Sequence, residues 1–255
     1  MFRGERRKKG FTLIELLVVL AIIGVLAALF IPAISRAISA GQSAACRNNL
    51  HQMYAAFVMY MDDHGGRFFP WVERREKGTL WYWGLEYGGG KAEGARRLDK
   101  SKARLAAYFD HVGGIEICPS LPYSAPYFKR KFDIASYGYG LNAALIAGTP
   151  ANRMSGISRF DQVQMPSETI VWADAAQVNT WQSPASSANP MLEEFYYLDA
   201  SPPAKFHFRH AGQCNAVMAD GSGRTFTPAN LDERCDGLTG YIEPQGENYY
   251  LRPIK

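Results

Sequence analysis

The stretch KKGFTLIELLVVLAIIGVLAALFIPAI, residues 8–34, decides how this chain is read. From Leu16 to Ile34 nineteen residues pass without a charge. At about 1.5 Å of rise per residue such a helix spans about 28 Å, close to the roughly 30 Å hydrocarbon core of a bilayer. A soluble core helix of this length would show a polar stripe, and none is present. Just upstream, Arg3, Arg6, Arg7, Lys8 and Lys9 outnumber Glu5. Such a basic flank predicts a cytoplasmic N-terminus and an exported remainder. A secretory signal peptide shares the basic start, but it has a shorter apolar core and ends in a small-x-small cleavage site. Ala27-Ala28-Leu29 and Ile31-Pro32-Ala33 are poor versions of that site.

Working outward, the net charge of +4 lies in residues 1–10, and the other 23 basic and 23 acidic residues balance. Nucleic-acid binding needs a basic excess on the folded surface, so no nucleic-acid partner is expected. At 255 residues, 47% of them hydrophobic, the chain has room for one domain beyond an anchor, or for two small domains. Within the anchor, Glu15 is the exception. A carboxylate in hydrocarbon costs on the order of a few kcal/mol, so it calls for a partner. A cut after Gly10 would create an amine on Phe11, four residues earlier, able to pair with the Glu15 carboxylate of a neighbouring subunit. Pro32 adds a kink that apolar surroundings tolerate.

Residues 9–19, KGFTLIELLVV, resemble the processing signal of type IV prepilins and type II secretion pseudopilins. The resemblance implies that a prepilin peptidase cuts after Gly10 and methylates the Phe11 amine, that Glu15 aids assembly, and that Pro32 holds the family's usual helix-proline place. It also implies a single-pass inner-membrane protein with a periplasmic head, whose partners are other pilin-type subunits.

Past Ile34 the pattern turns amphipathic. Ile34, Ile38, Leu50, Met53, Tyr54, Phe57, Val58 and Met61 recur at helical spacing until Asp62-Asp63-His64-Gly65-Gly66 supplies a stop. Bends are expected at Gly24, Pro32 and Gly41, with two helices hinged near Gly41 as the alternative. The expected organisation is a cleaved leader (1–10), a transmembrane helix (11–34), its amphipathic extension (35–62) and a globular head (63–255). The fold class is α+β, a long N-terminal helix packed on a head with an antiparallel sheet. Strands are expected at 169–173, 204–208, 215–219 and 224–227, the last two joined through the turn Asp220–Gly223. Residues 179–189 read as an exposed loop, 88–104 as a mobile connection into a short helix, and 228–255 give no assignable signal.

The head resembles a bacterial prepilin-like subfamily with an H-x9-DG signature, here His210, Asp220 and Gly221. Accompanying pieces are Cys46-Arg47-Asn48-Asn49-Leu50, Cys118-Pro119-Ser120, Ser136-Tyr137-Gly138 with Leu141-Asn142, and Pro166-Ser167-Glu168-Thr169. His210 and Asp220 flank a strand, and a hydrogen bond between them bracing a turn is the expected role, ahead of a metal site. The letters His207, His210 and Cys214 fall short of the paired spacings of structural zinc. Calcium is slightly better placed than zinc, on Asp174, Asp199 and Asp220, because the resemblance implies a head of a kind that can bind it, although no EF-hand run supports it. Four cysteines beyond the anchor permit two disulfides or four thiols. Cys46–Cys118 would tie head to helix and Cys214–Cys235 would close a local loop.

No enzyme is expected. Residues 87–92 lack the Walker spacing, no nucleophile elbow exists, and the acid pairs Asp62-Asp63 and Glu193-Glu194 read as solvated charge. The aromatics Trp71, Trp81, Tyr82 and Trp83 read as core before glycan platform. The expected function is a structural subunit of a secretion pseudopilus or type IV pilus-like filament. The rival readings are an anchored glycan- or ligand-binding head, and a tethered hydrolase built on His210 and Asp220.

Overall fold

The computed structural model describes residues 11–87, 93–108, 114–199, 201–244 and 249–254. The leader with Gly10, and residues 88–92 of the expected connection, lie outside the described residues. The chain divides into two compact units, one ending at Gly41 and one beginning at Gln42.

Helix α1 spans Leu13–Asp63, with Pro32 inside it. In the first unit every described residue is exposed, including Phe11, Leu13, Ile14 and the run of Leu, Val and Ile to Ile38. The segment is long and apolar enough to cross a membrane. Pro32 has no N–H to give to the carbonyl four residues back, and the Ser35 hydroxyl donates to Ile31 O at 3.0 Å one turn away.

In the second unit the residues of α1 from Gln42 on bury Cys46, Leu50, Met53, Ala56, Phe57, Tyr60 and Met61, a stripe at three- and four-residue spacing. The helix ends where the sequence predicts. Gly65 takes the left-handed conformation (φ 61°), its N–H bonds to Asp62 O at 3.2 Å, and Gly66 N–H bonds to Met61 O at 2.6 Å.

The head is β-rich. Strands β1 (Val72–Arg75), β2 (Gly78–Trp81), β3 (Gly84–Tyr87) and β4 (Arg97–Asp99) form an antiparallel meander. The central sheet has the order β12-β11-β6-β5-β9, from β5 (Tyr139–Asn142), β6 (Ile170–Asp174), β9 (Tyr197–Leu198), β11 (Cys214–Met218) and β12 (Gly223–Phe226). All its pairings are antiparallel except β5 with β9. A two-stranded pair joins β7 (Gln177–Asn179) to β8 (Met191–Glu193). A third sheet orders β10 (Phe206–His207), β14 (Thr239–Tyr241) and β13 (Asn230–Asp232).

Every residue of β5, β6 and β11 is buried. One cluster joins Leu50, Met53 and Phe57 of α1 with Val171, Trp172 and Val217 of the sheet. A second sets Ile170, Ala173, Ala216 and Met218 against Phe206, Phe208 and Leu251.

Three expectations change. The connection 88–104 includes strand β4 and a 3-10 turn at Lys100–Lys102. The tail supplies β13, β14 and Leu251 of the second cluster. Glu193 and Glu194 are fully buried, because Lys129 and Lys131 meet Glu193 at 2.7 and 3.1 Å while Ser136 donates to Glu194 at 3.0 Å. Of the aromatic group, Tyr82 and Trp83 are core, with Trp83 stacked on Tyr196 at 4.2 Å between centroids, whereas Trp71 and Trp81 are half-buried against that core.

Phe57 is fully buried edge-on to Phe69 (6.0 Å) and Phe160 (5.5 Å). Phe57→Ala is expected to lower the unfolding free energy by about 3–5 kcal/mol, measured by urea denaturation of the detergent-solubilised chain.

Candidate functional site

Two places concentrate the residues that the sequence singles out, one in each unit. The first is the start of α1. Thr12 and Glu15 form a reciprocal cap: Thr12 N–H and its hydroxyl both donate to Glu15 Oε2 at 2.8 Å, and Glu15 N–H donates to Thr12 Oγ1 at 3.2 Å. This is the T-x-x-E arrangement that satisfies the free N–H groups of a helix start. The threonine three residues before Glu15 is the sequence signal for this cap, and it gives the carboxylate a partner within its own chain. Both bonds to the carboxylate use the same oxygen, Oε2.

The second place lies around β11. His210 precedes this strand and Asp220 follows it, so the two sit at opposite ends. The expected His210–Asp220 hydrogen bond does not form, and a catalytic pair of these residues goes with it. Each end does a separate job.

At the Asp220 end, Asp220 Oδ1 accepts from Ser222 N–H at 2.9 Å and Ser222 Oγ at 2.6 Å, closing the turn into β12. Gly221 has φ 84°, and a Cβ there would lie 3.0 Å from the ring of Tyr54 on α1. Tyr54 Oη donates to Ala219 O at 2.8 Å. The signature glycine is therefore doubly required, by backbone conformation and by the approach of the helix. Pro166 O and Thr169 O accept from Asp220 N–H (3.2 Å) and Ala219 N–H (2.8 Å), which brings the Pro166–Thr169 motif to the same turn.

At the His210 end, Asp174 is completely buried at the end of β6. Its Oδ1 accepts from Arg209 Nη2 at 2.9 Å, its Oδ2 accepts from Asn215 N–H at 2.7 Å, and His210 Nε2 lies 3.4 Å from Oδ2. Burial alone would raise this carboxyl, yet Arg209, His210 and the Asn215 amide together hold it below the ordinary aspartate value. Arg209 also donates through Nε to Cys118 Sγ at 3.2 Å and through its other nitrogens to Ala175 O and Gly138 O. Cys118 is bonded to Cys46 of α1, with 5.6 Å between the Cα atoms. A Cβ on Gly138 would come within 2.9 Å of Cys118 Cβ, which accounts for the glycine in Ser136-Tyr137-Gly138. Asn49 reaches Ile117 O at 3.4 Å and Tyr139 Oη at 3.2 Å, so the Cys46–Leu50 motif faces the same place. The short motifs scattered over the head thus clamp one helix segment at two levels, near Cys46 and near Tyr54. The disulfide closes a 72-residue separation and adds about 4 kcal/mol in the chain-entropy account.

The other expected pair, Cys214–Cys235, is not bonded. Cys214 is a buried thiol directed at Asp174 O and Asn215 O, and burial pushes it well up, whereas Cys235 lies in the half-exposed tail. His207 pairs with Asp236 at 2.9 Å rather than with His210 and Cys214, so the zinc-like spacing does not converge. Asp174, Asp199 and Asp220 also stay apart as calcium candidates. Asp199 holds Ser201 and Lys205, and Asp220 lies beyond the opposite end of β6 from Asp174.

The prokaryotic N-terminal methylation motif, as a family model, matches residues 6–31. No curated protein matches the chain, and no solved structure does.

Burial lowers His207 below the usual histidine value, only partly offset by the Asp236 carboxylate, while Arg209 lowers it further. A histidine depressed in the folded state contributes stability above its unfolded value of about 6.5 and loses it as pH falls through the folded value. Asp174 and Asp236, also depressed, contribute above about pH 4 and lose that contribution below it. Melting temperature should therefore fall in two stages on acidification, and His207→Gln should flatten the first. Gly221→Ala should cost about 1–3 kcal/mol at any pH, read by thermal unfolding.

The match at residues 6–31, which takes in the apolar start of α1, gives the chain a prepilin-type N-terminal methylation motif, and that motif points to a pilin-like subunit.

Proposed function

We propose that the chain is a pseudopilin or pilin subunit that is cut after Gly10, methylated on Phe11 and assembled with its relatives into a type II secretion pseudopilus or type IV pilus-like filament. The observation that carries this reading is the first unit of the structure. A helix fully exposed from Leu13 to Gly41 presents Leu, Val and Ile on all sides, behind a motif built for peptidase processing. Such a surface needs lipid before assembly and neighbouring helices after it. The N-terminus stays cytoplasmic, the head is exported across the bacterial inner membrane, and the disulfide suits that oxidising side.

The new Phe11 amine of one subunit pairs with Glu15 of the next. The internal cap occupies only Oε2, so the second carboxylate oxygen is open to the incoming amine. The head, clamped to its own helix, faces outward and has no catalytic part.

Mass spectrometry of the protein from its native membrane should show loss of residues 1–10 and one methyl group on Phe11. Glu15→Ala should leave cleavage intact and abolish filaments. Thr12→Ala, which removes the cap and keeps the carboxylate, should still assemble. Normal filaments from Glu15→Ala would sink the pairing, and a retained leader would sink the assignment.

A further inference from the structure

Cys46, Cys118, Asp174 and His210 come together deep in the head. One ligand atom from each lies within 4.8 Å of all the others. Three of these residues are fully buried and His210 is 4% exposed. They come from helix α1, the 114–121 turns, strand β6 and the approach to β11, so no short sequence spacing announces them. We propose that, with the Cys46–Cys118 bond reduced, this cluster is a four-coordinate site for a zinc-class divalent metal. The same clasp between helix and head then exists in two forms, disulfide and metal.

The distances favour this geometry. Tetrahedral zinc places nitrogen and oxygen ligands about 3.4 Å apart, and nitrogen and sulfur about 3.6 Å apart. His210 Nε2 lies 3.4 Å from Asp174 Oδ2 and 3.7 Å from Cys118 Sγ. Two of the tetrahedron's edges are therefore already set, and parting the sulfurs to about 3.8 Å would complete it.

Charge favours it as well. In the disulfide form Asp174 and Arg209 cancel at 2.9 Å. In the metal form two thiolates and one carboxylate face a doubly charged ion, which leaves one negative charge, and Arg209 again cancels it. A buried site stays neutral in both forms, as burial demands. Arg209 stands where an outer partner of a thiolate metal site belongs, with Nε 3.2 Å from Cys118 Sγ.

The step balances. A dithiol reductant breaks the S–S bond, delivers two electrons and two protons to give two thiols, and leaves as its own disulfide. Metal entry then forms two metal–sulfur bonds and releases the two thiol protons to solvent.

The test uses the full chain in detergent, reduced with dithiothreitol, freed of it anaerobically, and titrated with Co2+ as a spectroscopic substitute for zinc. Expected are one Co2+ per chain, the intense visible bands of tetrahedral cobalt, and a thiolate-to-cobalt band in the near ultraviolet. The oxidised chain should give none of these. Cys214→Ser with Cys235→Ser should retain them, whereas His210→Ala should lose the tetrahedral bands. Cys46→Ser with Cys118→Ser should lose all uptake, with circular dichroism reporting whether its fold persists. A reduced wild-type chain that takes up no cobalt overturns the proposal, and so does equal uptake by the oxidised chain or by the Cys46/Cys118 variant. None of these readouts depends on filament assembly.

Discussion

A carboxylate with no contact with water is the point on which the head is organised. Asp174 would be a liability at the end of a buried strand if it were not met by a guanidinium, an imidazole and a backbone amide. Arg209, fixed by that carboxylate, turns its remaining donors to two carbonyls and to the sulfur of Cys118. One charge pair thus sets the registry of β6 beside β11, the position of the turn before β5, and the place where α1 is tied down. Removing either member would leave the other buried and unpaired, which costs about 3–5 kcal/mol and explains why the surrounding motifs are so particular.

The same helix obeys two opposite constraints along its length. From Leu16 to Ile34 its side chains carry no charge and are all exposed. From Gln42 a single stripe is buried and the remaining faces carry Arg47, Asn48, Gln52 and Asp62. The first pattern suits a lipid or helix-bundle environment, and the second suits a head docked on one face. A fold that must hold its head steady while its other end is greasy needs strong attachment over a short length. Here that attachment comes from the core around Leu50 and Phe57, from a covalent bond at Cys46, and from the hydroxyl of Tyr54 gripping the turn at Ala219–Gly221.

Much of this was legible in the sequence because the relevant signals were local. The uncharged run from Leu16, the glycine stop after Asp63 and the β-branched strand at Thr169–Ala173 each announce themselves within a few residues. Cys46–Cys118 was one of the pairings left open, and it is the one that forms. What stayed hidden depends on long-range meetings. The strands between Val72 and Asp99 are short and carry exposed charge, so they lack the alternation that marks a half-buried strand. Glu193 and Glu194 looked like surface charge because their partners, Lys129 and Lys131 for the first and Ser136 for the second, lie far upstream in sequence. His210 and Asp220 looked like a pair because nine residues can make a hairpin, but most of that interval is one extended strand, which holds its ends apart.

The cap at Thr12 and Glu15 bears on why the acid can sit at the mouth of an apolar helix at all. A lone carboxylate there would face both desolvation and the lack of a donor. The hydroxyl and amide of Thr12 satisfy one of its oxygens within the same turn, and its negative charge lies at the positive end of the helix dipole. The residue is thereby tolerated in a single chain and still has an oxygen to offer. A side chain that was fully satisfied at home would contribute little to joining subunits, and one that was wholly unsatisfied would destabilise insertion. Under the proposed function, half-satisfaction is the physical condition that would let one residue serve both the free and the assembled helix.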